Sequence, residues 1–301
     1  MNYFNQYLKI RFLTFLGFFL TYIFSCDLVF GQEGKVSLTP YVGFQKNDFN
    51  WSIAGTIYGT SPNIYSELQW KSIKTEVLGL NVDLPVKTNF SLEIDINHGS
   101  VYSGSVTDRD YGADNRTNTI FDATLISKTG SSDHLSVGID YSLLKLSKIG
   151  LQVTLGYGVD KQTLYLQDNA DLNSSYKTNW TGPYVKLSTR FNLTRVLVNF
   201  LSLQYSQISY TASADWNLIP SFQHPKSFDQ HAYGYGILPA YQINLQYNKT
   251  FSPGLRIMYN KWNTGAGTDQ LYLSSGDVET TRFNSAQRNL WSFDILVKIS
   301  L

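Results

Sequence analysis

Two-residue alternation, repeated along most of the chain, is the feature that most restricts its fold. Leu78, Leu80, Val82 and Leu84 interleave with Gly79, Asn81 and Asp83, and Leu135, Val137, Ile139, Tyr141 and Leu143 interleave with Ser136, Gly138, Asp140 and Ser142. Trp291, Phe293, Ile295, Val297, Ile299 and Leu301 end the chain on the same rhythm. Successive side chains of a strand project to opposite faces, so each run reads as a strand with one apolar and one polar face. Ten such strands are expected, near 35–46, 64–84, 88–106, 132–146, 149–168, 178–193, 196–216, 228–250, 253–272 and 284–301. Their polar faces hold Ser, Thr, Asn, Gln and Gly rather than the Lys and Glu of a water-facing sheet. That composition suits a narrow interior, with the apolar face turned to lipid throughout.

The connections alternate as well. Short pieces at 85–88, 146–148, 192–195 and 249–253 alternate with long ones near 47–63, 107–131, 169–177, 217–227 and 273–283. Short turns at one end and long loops at the other are the organisation of an outer-membrane barrel. An even strand number and a chain ending inside its last strand allow the sheet to close without an edge. The fold expected is therefore all-β, a ten-stranded antiparallel transmembrane β-barrel in a bacterial outer membrane, monomeric, with a lumen that side chains can largely fill.

The first residues form a separate unit. Lys9 and Arg11 precede an apolar run from Phe12 to Phe24, and Val29-Phe30-Gly31 offers a small-residue stop, so residues 1–31 read as a signal peptide and 32–301 as the barrel. The alternative is a lipoprotein leader processed at Cys26, with bulky Phe24 standing against it. Cleavage after Gly31 removes Lys9, Arg11, Asp27 and the single cysteine, leaving 22 basic against 22 acidic residues. A balanced chain has no electrostatic ground for a nucleic-acid partner. No Gly-x-Ser-x-Gly, phosphate loop or Cys/His set with zinc spacing occurs, so neither a metal nor a nucleotide is expected.

The strand from Phe90 runs into Asp108-Arg109-Asp110, which places two carboxyls two residues apart and on one side. Simple parity from Phe90 points both outward, and a bulge near Gly99 or Gly104 is needed to turn them in. Carboxyls this close share protons, which raises the pKa of one. The plainer reading is a pair of solvated loop acids. Histidines that could serve beside them are His231, preceded by Asp229, and His224, nine residues after Asp215. Each could equally be a structural group held by a carbonyl, and His98 and His134 are expected to have no catalytic role.

These residues carry a resemblance. Asp108-Arg109-Asp110 after the third strand, Gly156-Tyr157 followed by Lys161 in the fifth, Pro183-Tyr184-Val185-Lys186-Leu187 in the sixth, and Phe228-Asp229-Gln230-His231 opening the eighth, behind a leader, resemble the omptin family. The chain is also similar to omptin-like barrels of environmental chlamydiae. Omptins are outer-membrane proteases that depend on lipopolysaccharide and cut between basic residues. The resemblance implies a water held between Asp108–Asp110 and an Asp–His pair, either Asp229–His231 or Asp215–His224. It further implies lipopolysaccharide contact through Tyr157 and Lys161, with Asp160 as a displaced acid and Lys177 as a further cation. In place of the family's Thr-Asp-x-Ser-x-His-Pro stretch the chain has Ala113-Asp114-Asn115-Arg116-Thr117. Two functions follow: a surface endopeptidase acting on peptide or protein, or a non-proteolytic barrel acting as adhesin or structural surface protein through its loops.

Overall fold

The computed structural model describes residues 35–168 and 170–301; the expected signal peptide lies outside the described residues. Twelve strands are present: β1 (Ser37–Ile53), β2 (Ser66–Lys87), β3 (Phe90–Ala113), β4 (Thr117–Ile126), β5 (Gly130–Lys145), β6 (Ile149–Gln167), β7 (Asn173–Asn192), β8 (Leu197–Asp215), β9 (Phe228–Leu245), β10 (Phe251–Thr264), β11 (Gly267–Tyr272) and β12 (Val278–Ser300). All pairings between them are antiparallel, and β1 pairs with both β2 and β12, so the ladder returns to its first strand. The upper part of β3 pairs with β4 and the lower part with β5, while β9 is flanked by β11 above and β10 below. β4 with β5, and β10 with β11, are thus two staves each broken in the middle, and the twelve strands make the ten expected staves.

The segment 107–131, expected to be a loop, is largely strand. Thr117–Ile126 is rich in Thr, Ile and Phe, which suits β structure. It folds back on β3 through a turn whose central residues, Asn115 and Arg116, have φ of 60° and 62°. Two consecutive left-handed residues make the tight turn whose twist matches flanking strands. Its acids and Arg109 mimic a loop composition, which hides the hairpin from a reading by polarity. β1 likewise runs on to Ile53, well past its expected end.

The two faces also exchange character along the barrel axis, a correction to the expectation of a polar interior throughout. Near the short turns, Ile139 (59% exposed) and Leu155 (64% exposed) face outward with Leu78, Leu203, Ile257 and Phe293. Inside at that level the Tyr41 hydroxyl donates to Asp95 (2.7 Å), Arg256 Nε to Asp294 (2.8 Å) and Lys186 Nζ to Glu93 (2.6 Å). Toward the long loops the interior becomes a buried aromatic core of Phe49, Trp51, Trp70, Tyr176, Trp180, Tyr210 and Phe283. There Glu76, Lys161, Lys177 and Thr211 face outward. Lipid around the lower staves demands an apolar exterior and leaves polar groups to pair inside. Water around the upper staves reverses the demand, and the upper half is built like a soluble core.

Trp180 sits centrally in this core, 4.4 Å from Tyr210 and 5.2 Å from Trp262 between ring centroids. Trp180→Ala is expected to destabilise the barrel by about 3–5 kcal/mol, read by denaturant unfolding in detergent. Leu155→Ala, on the lipid-facing wall, should change the same midpoint far less; equal effects would contradict the exchange of faces.

Candidate functional site

The acidic pair owes its position to a bulge. Along β3 the inward residues are Glu93, Asp95, Asn97, Gly99 and Val101, and the ladder with β2 then slips between Lys74–Ser103 and Thr75–Val101. A second slip in β2, where Ser72 has φ 53°, lies opposite Gly104. Above these bulges the inward phase is Val106, Asp108 and Asp110, so the required turn of parity lies beside Gly104. Asp108 is in register with Leu68 of β2 and Ala123 of β4, and Asp110 with Ser66 and Phe121. The pair stands on the strand wall of the mouth, not on a loop.

Their surroundings favour protonation. Burial, reinforced by the charge of Asp110, pushes the Asp108 carboxyl up to about 7. Burial also raises Asp110, and a hydrogen bond from Ser66 partly offsets it. The intervening Arg109 points to the opposite face, where its Nε donates to Asp122 at 3.0 Å. On that outer face Arg116 and the Tyr111 hydroxyl hold Glu67 (2.8 Å each), fixing the hairpin to β2.

The structure turns one candidate histidine away from the mouth and engages the other elsewhere. On β9 the inward residues are Phe228, Gln230 and Ala232, all buried, which puts Asp229 and His231 on the outside wall. His231 lies edge-on to exposed Tyr233, and Asp229 is held by Lys226 and the Tyr272 hydroxyl. Asp229 and His231 share a strand face as expected, but it is the wrong face for the mouth. The alternative pair does form: His224 Nδ1 lies 2.7 Å from Asp215 Oδ1. Its Nε2 meets the Ile219 carbonyl at 3.2 Å. Two acceptors require both ring nitrogens to carry protons, and the bond to Asp215, then that to Ile219, raises the His224 pKa. An imidazolium so held has no free lone pair to accept a proton from water. The remaining histidines pair with Asp133 on the outer wall (His98, 2.6 Å) and with Asp160 in the lower interior (His134, 3.1 Å).

One acid at the mouth was not singled out by sequence. Asp269 of β11 is buried, accepts a hydrogen bond from Gln230 Nε2 (2.8 Å) and is pushed by burial up to about 6. Gln230 in turn accepts from Tyr176, whose hydroxyl is 2.6 Å from that of Tyr210. The signal available was parity, since Asp269 shares a face with Leu271 in a short strand.

Tyr157 and Lys161 share the outer wall of β6. Lys161 helps line a depression of ≈ 500 Å³ with Lys177, Lys226 and His231. Asp160 is not their neighbour, because it faces inward to His134 and Arg288. Among the described residues no set of three or more His, Cys, Asp or Glu is placed to hold a metal ion.

The raised Asp108 pKa has a definite effect on stability. The unfolded chain releases this proton near 3.8 while the native state keeps it to about 7, so the native state binds more protons between these values. Asp108 therefore lowers stability progressively as pH rises through that window, and its contribution is level above it. Asp108→Asn should remove this slope, measured by unfolding at a series of pH values, and a parent and variant with the same pH dependence would contradict the assignment.

A family model described as Protochlamydia outer membrane protein matches residues 40–301. No curated protein matches the sequence. Among solved structures, the outer membrane protease OmpT of Escherichia coli aligns with a TM-score of 0.74 at 11% identity, covering 89% of this chain and 97% of that one. The translocator domain of the autotransporter NalP of Neisseria meningitidis aligns at 0.42 and 11% identity, covering 97% of each chain. OprG of Pseudomonas aeruginosa aligns at 0.38 and 10%, covering 91% and 99%. At such identity the likeness to OmpT shows the fold alone, an omptin-like outer-membrane barrel. With its family model spanning nearly the whole barrel, the chain belongs to the Protochlamydia outer membrane protein family and resides in the bacterial outer membrane.

Proposed function

We propose that this barrel is a non-proteolytic surface protein that binds extracellular partners at its acidic mouth. The observation that carries this reading is the placement of the four histidines. His98 and His231 stand on the outer wall, and His224 has both nitrogens engaged. His134 is inside but pairs in register with Asn97, eleven residues before Asp108 on β3 and so roughly 35 Å lower. With His98 and His231 turned outward and both His224 nitrogens engaged, the general-base step of an omptin-type endopeptidase lacks the histidine that the resemblance implies. The competing protease reading is favoured by one observation, the Asp108 carboxyl titrating near neutrality beside Asp110. Purified protein given lipopolysaccharide and a peptide with paired basic residues should leave the peptide intact near neutral pH. Cleavage that disappears in Asp108→Ala or Asp110→Ala would overturn the binding reading.

The proposal includes a lipid contact. Tyr157 is 54% exposed on the lipid-facing wall, and Lys161, Lys177 and Lys226 stand above it around the depression. An aromatic at the interface below a cluster of ammonium groups suits a phosphorylated glycolipid such as lipopolysaccharide. Lys161→Ala combined with Lys177→Ala should weaken lipopolysaccharide binding in a gel-shift titration, and unchanged binding would remove this contact.

A further inference from the structure

Among the described residues, the strand wall of the mouth has one gap. β4 is hydrogen-bonded along β3 from Thr117 to Ile126, but on its other side it meets β6 at a single position, Ile126 with Gln167, where β6 ends. From Thr117 to Leu125, about 30 Å at strand spacing, the far edge of β4 has no strand beside it. Native edges are usually blunted by Lys, Pro, bulges or a covering loop. β4 has a bulge at its tip, opposite Asp110 and Tyr111, but contains neither Lys nor Pro. Its single charge, Asp122, is engaged by Arg109. Ile120 (58%) and Phe121 (46%) are exposed.

The edge is also held firmly from behind. Asn63 N–H donates to Asp114 (2.7 Å), Asn115 N–H donates to Asn63 (2.8 Å), and Tyr111 N–H donates to the Tyr65 carbonyl (2.8 Å). Bracing on the β2 side with a bare opposite edge is a preorganised surface, whose ordering cost is met before a partner arrives.

We infer that the free edge of β4 takes up an extended polypeptide segment as an added strand, with a Lys or Arg opposite Ala123 directed to Asp108 and Asp110. This rests on the binding role proposed above and names the class of partner. A strand added beside β4 lies two spacings, about 10 Å, from β3. On the inner face the residue between is Ala123, in register with Asp108, and its methyl group leaves a clear path for a long cationic side chain. The outer face offers no comparable attraction, because Asp122 is already paired. A second copy of this chain fails the charge requirement, since its β4 carries no base. Main-chain hydrogen bonds supply affinity in such strand addition, and alternate side chains supply selectivity.

The test uses the full barrel in detergent and fluorescent seven-residue peptides of alternating Lys and Thr, followed by anisotropy. N-methylation of the residues of one parity removes the amide donors directed at β4 and should weaken binding roughly tenfold or more. Methylation of the other parity should be tolerated. A peptide of Thr alone should bind weakly to the parent, and Asp108→Asn with Asp110→Asn should reduce binding of the Lys peptide toward that level. Alternate amides within 121–125 should gain hydrogen-exchange protection on binding. Equal effects of the two methylation patterns, absence of Lys-peptide binding, or a peptide bound equally with Thr alone would each overturn strand addition. The mass of the recovered peptide keeps the readings apart: a cut peptide sinks the non-proteolytic function, whereas an intact peptide bound without a parity effect sinks only the strand.

Discussion

Lipid offers no hydrogen bonds, and every backbone N–H and C=O at membrane depth must find its partner within the protein. The pairing of β1 with β12 meets this requirement by closing the sheet at membrane depth, and each other feature is arranged around the resulting ring. The last strand closes on β1 from Phe283 to Ser300. Where the staves break, between β4 and β5 and between β10 and β11, the breaks lie above the apolar outer belt, in water, where an unpaired group costs little.

The ring then sorts side chains by what surrounds it. In lipid the outside is apolar and the inside holds Arg256, Asp294, Asp95, Lys186 and Glu93 in ion pairs. Above the lipid the inside is aromatic. Arg288 stands at the junction, with its guanidinium 4.8 Å from the Trp262 ring and 4.0 Å from Asp160. The aromatic core packs behind the wall that carries the two carboxyls, with Val106 and Leu68 of that wall buried in it. Beyond the end of β6 the β3–β4 hairpin is held by hydrogen bonds to Asn63 and Tyr65 on the β2 side.

The sequence made the lower half legible because strict alternation survives there: Leu135 to Leu143 and Trp291 to Leu301 read correctly by parity alone. It made the inward turn of Asp108 and Asp110 legible too, as the consequence of a bulge close to Gly104. The upper half was harder. Phe49, Trp51, Trp70 and Trp180 alternate as cleanly as the belt residues, and parity does not say which medium lies outside. The hairpin at 107–131 was hidden by charges that pair on its outer face, Arg109 with Asp122 and Arg116 with Glu67. Asp229 and His231 misled for a simple reason: a two-residue spacing fixes that two side chains share a face without fixing which one. His224 and Asp215, nine apart in sequence, meet only because the 216–227 segment folds back.

The phase of two short stretches decides between a mouth lined by acids alone and one that sets a histidine against them. A nitroxide scan through 228–233 and 106–111, read by relaxation from a water-soluble paramagnetic reagent, measures that phase directly. The account predicts that labels at 229, 231 and 233 are freely accessible on the outer wall while those at 228, 230 and 232 are protected. It also predicts that 109 is more accessible than 106, 108 and 110. Protection at 231 with exposure at 230 would place His231 in the mouth with Asp108 and Asp110, and would contradict the account.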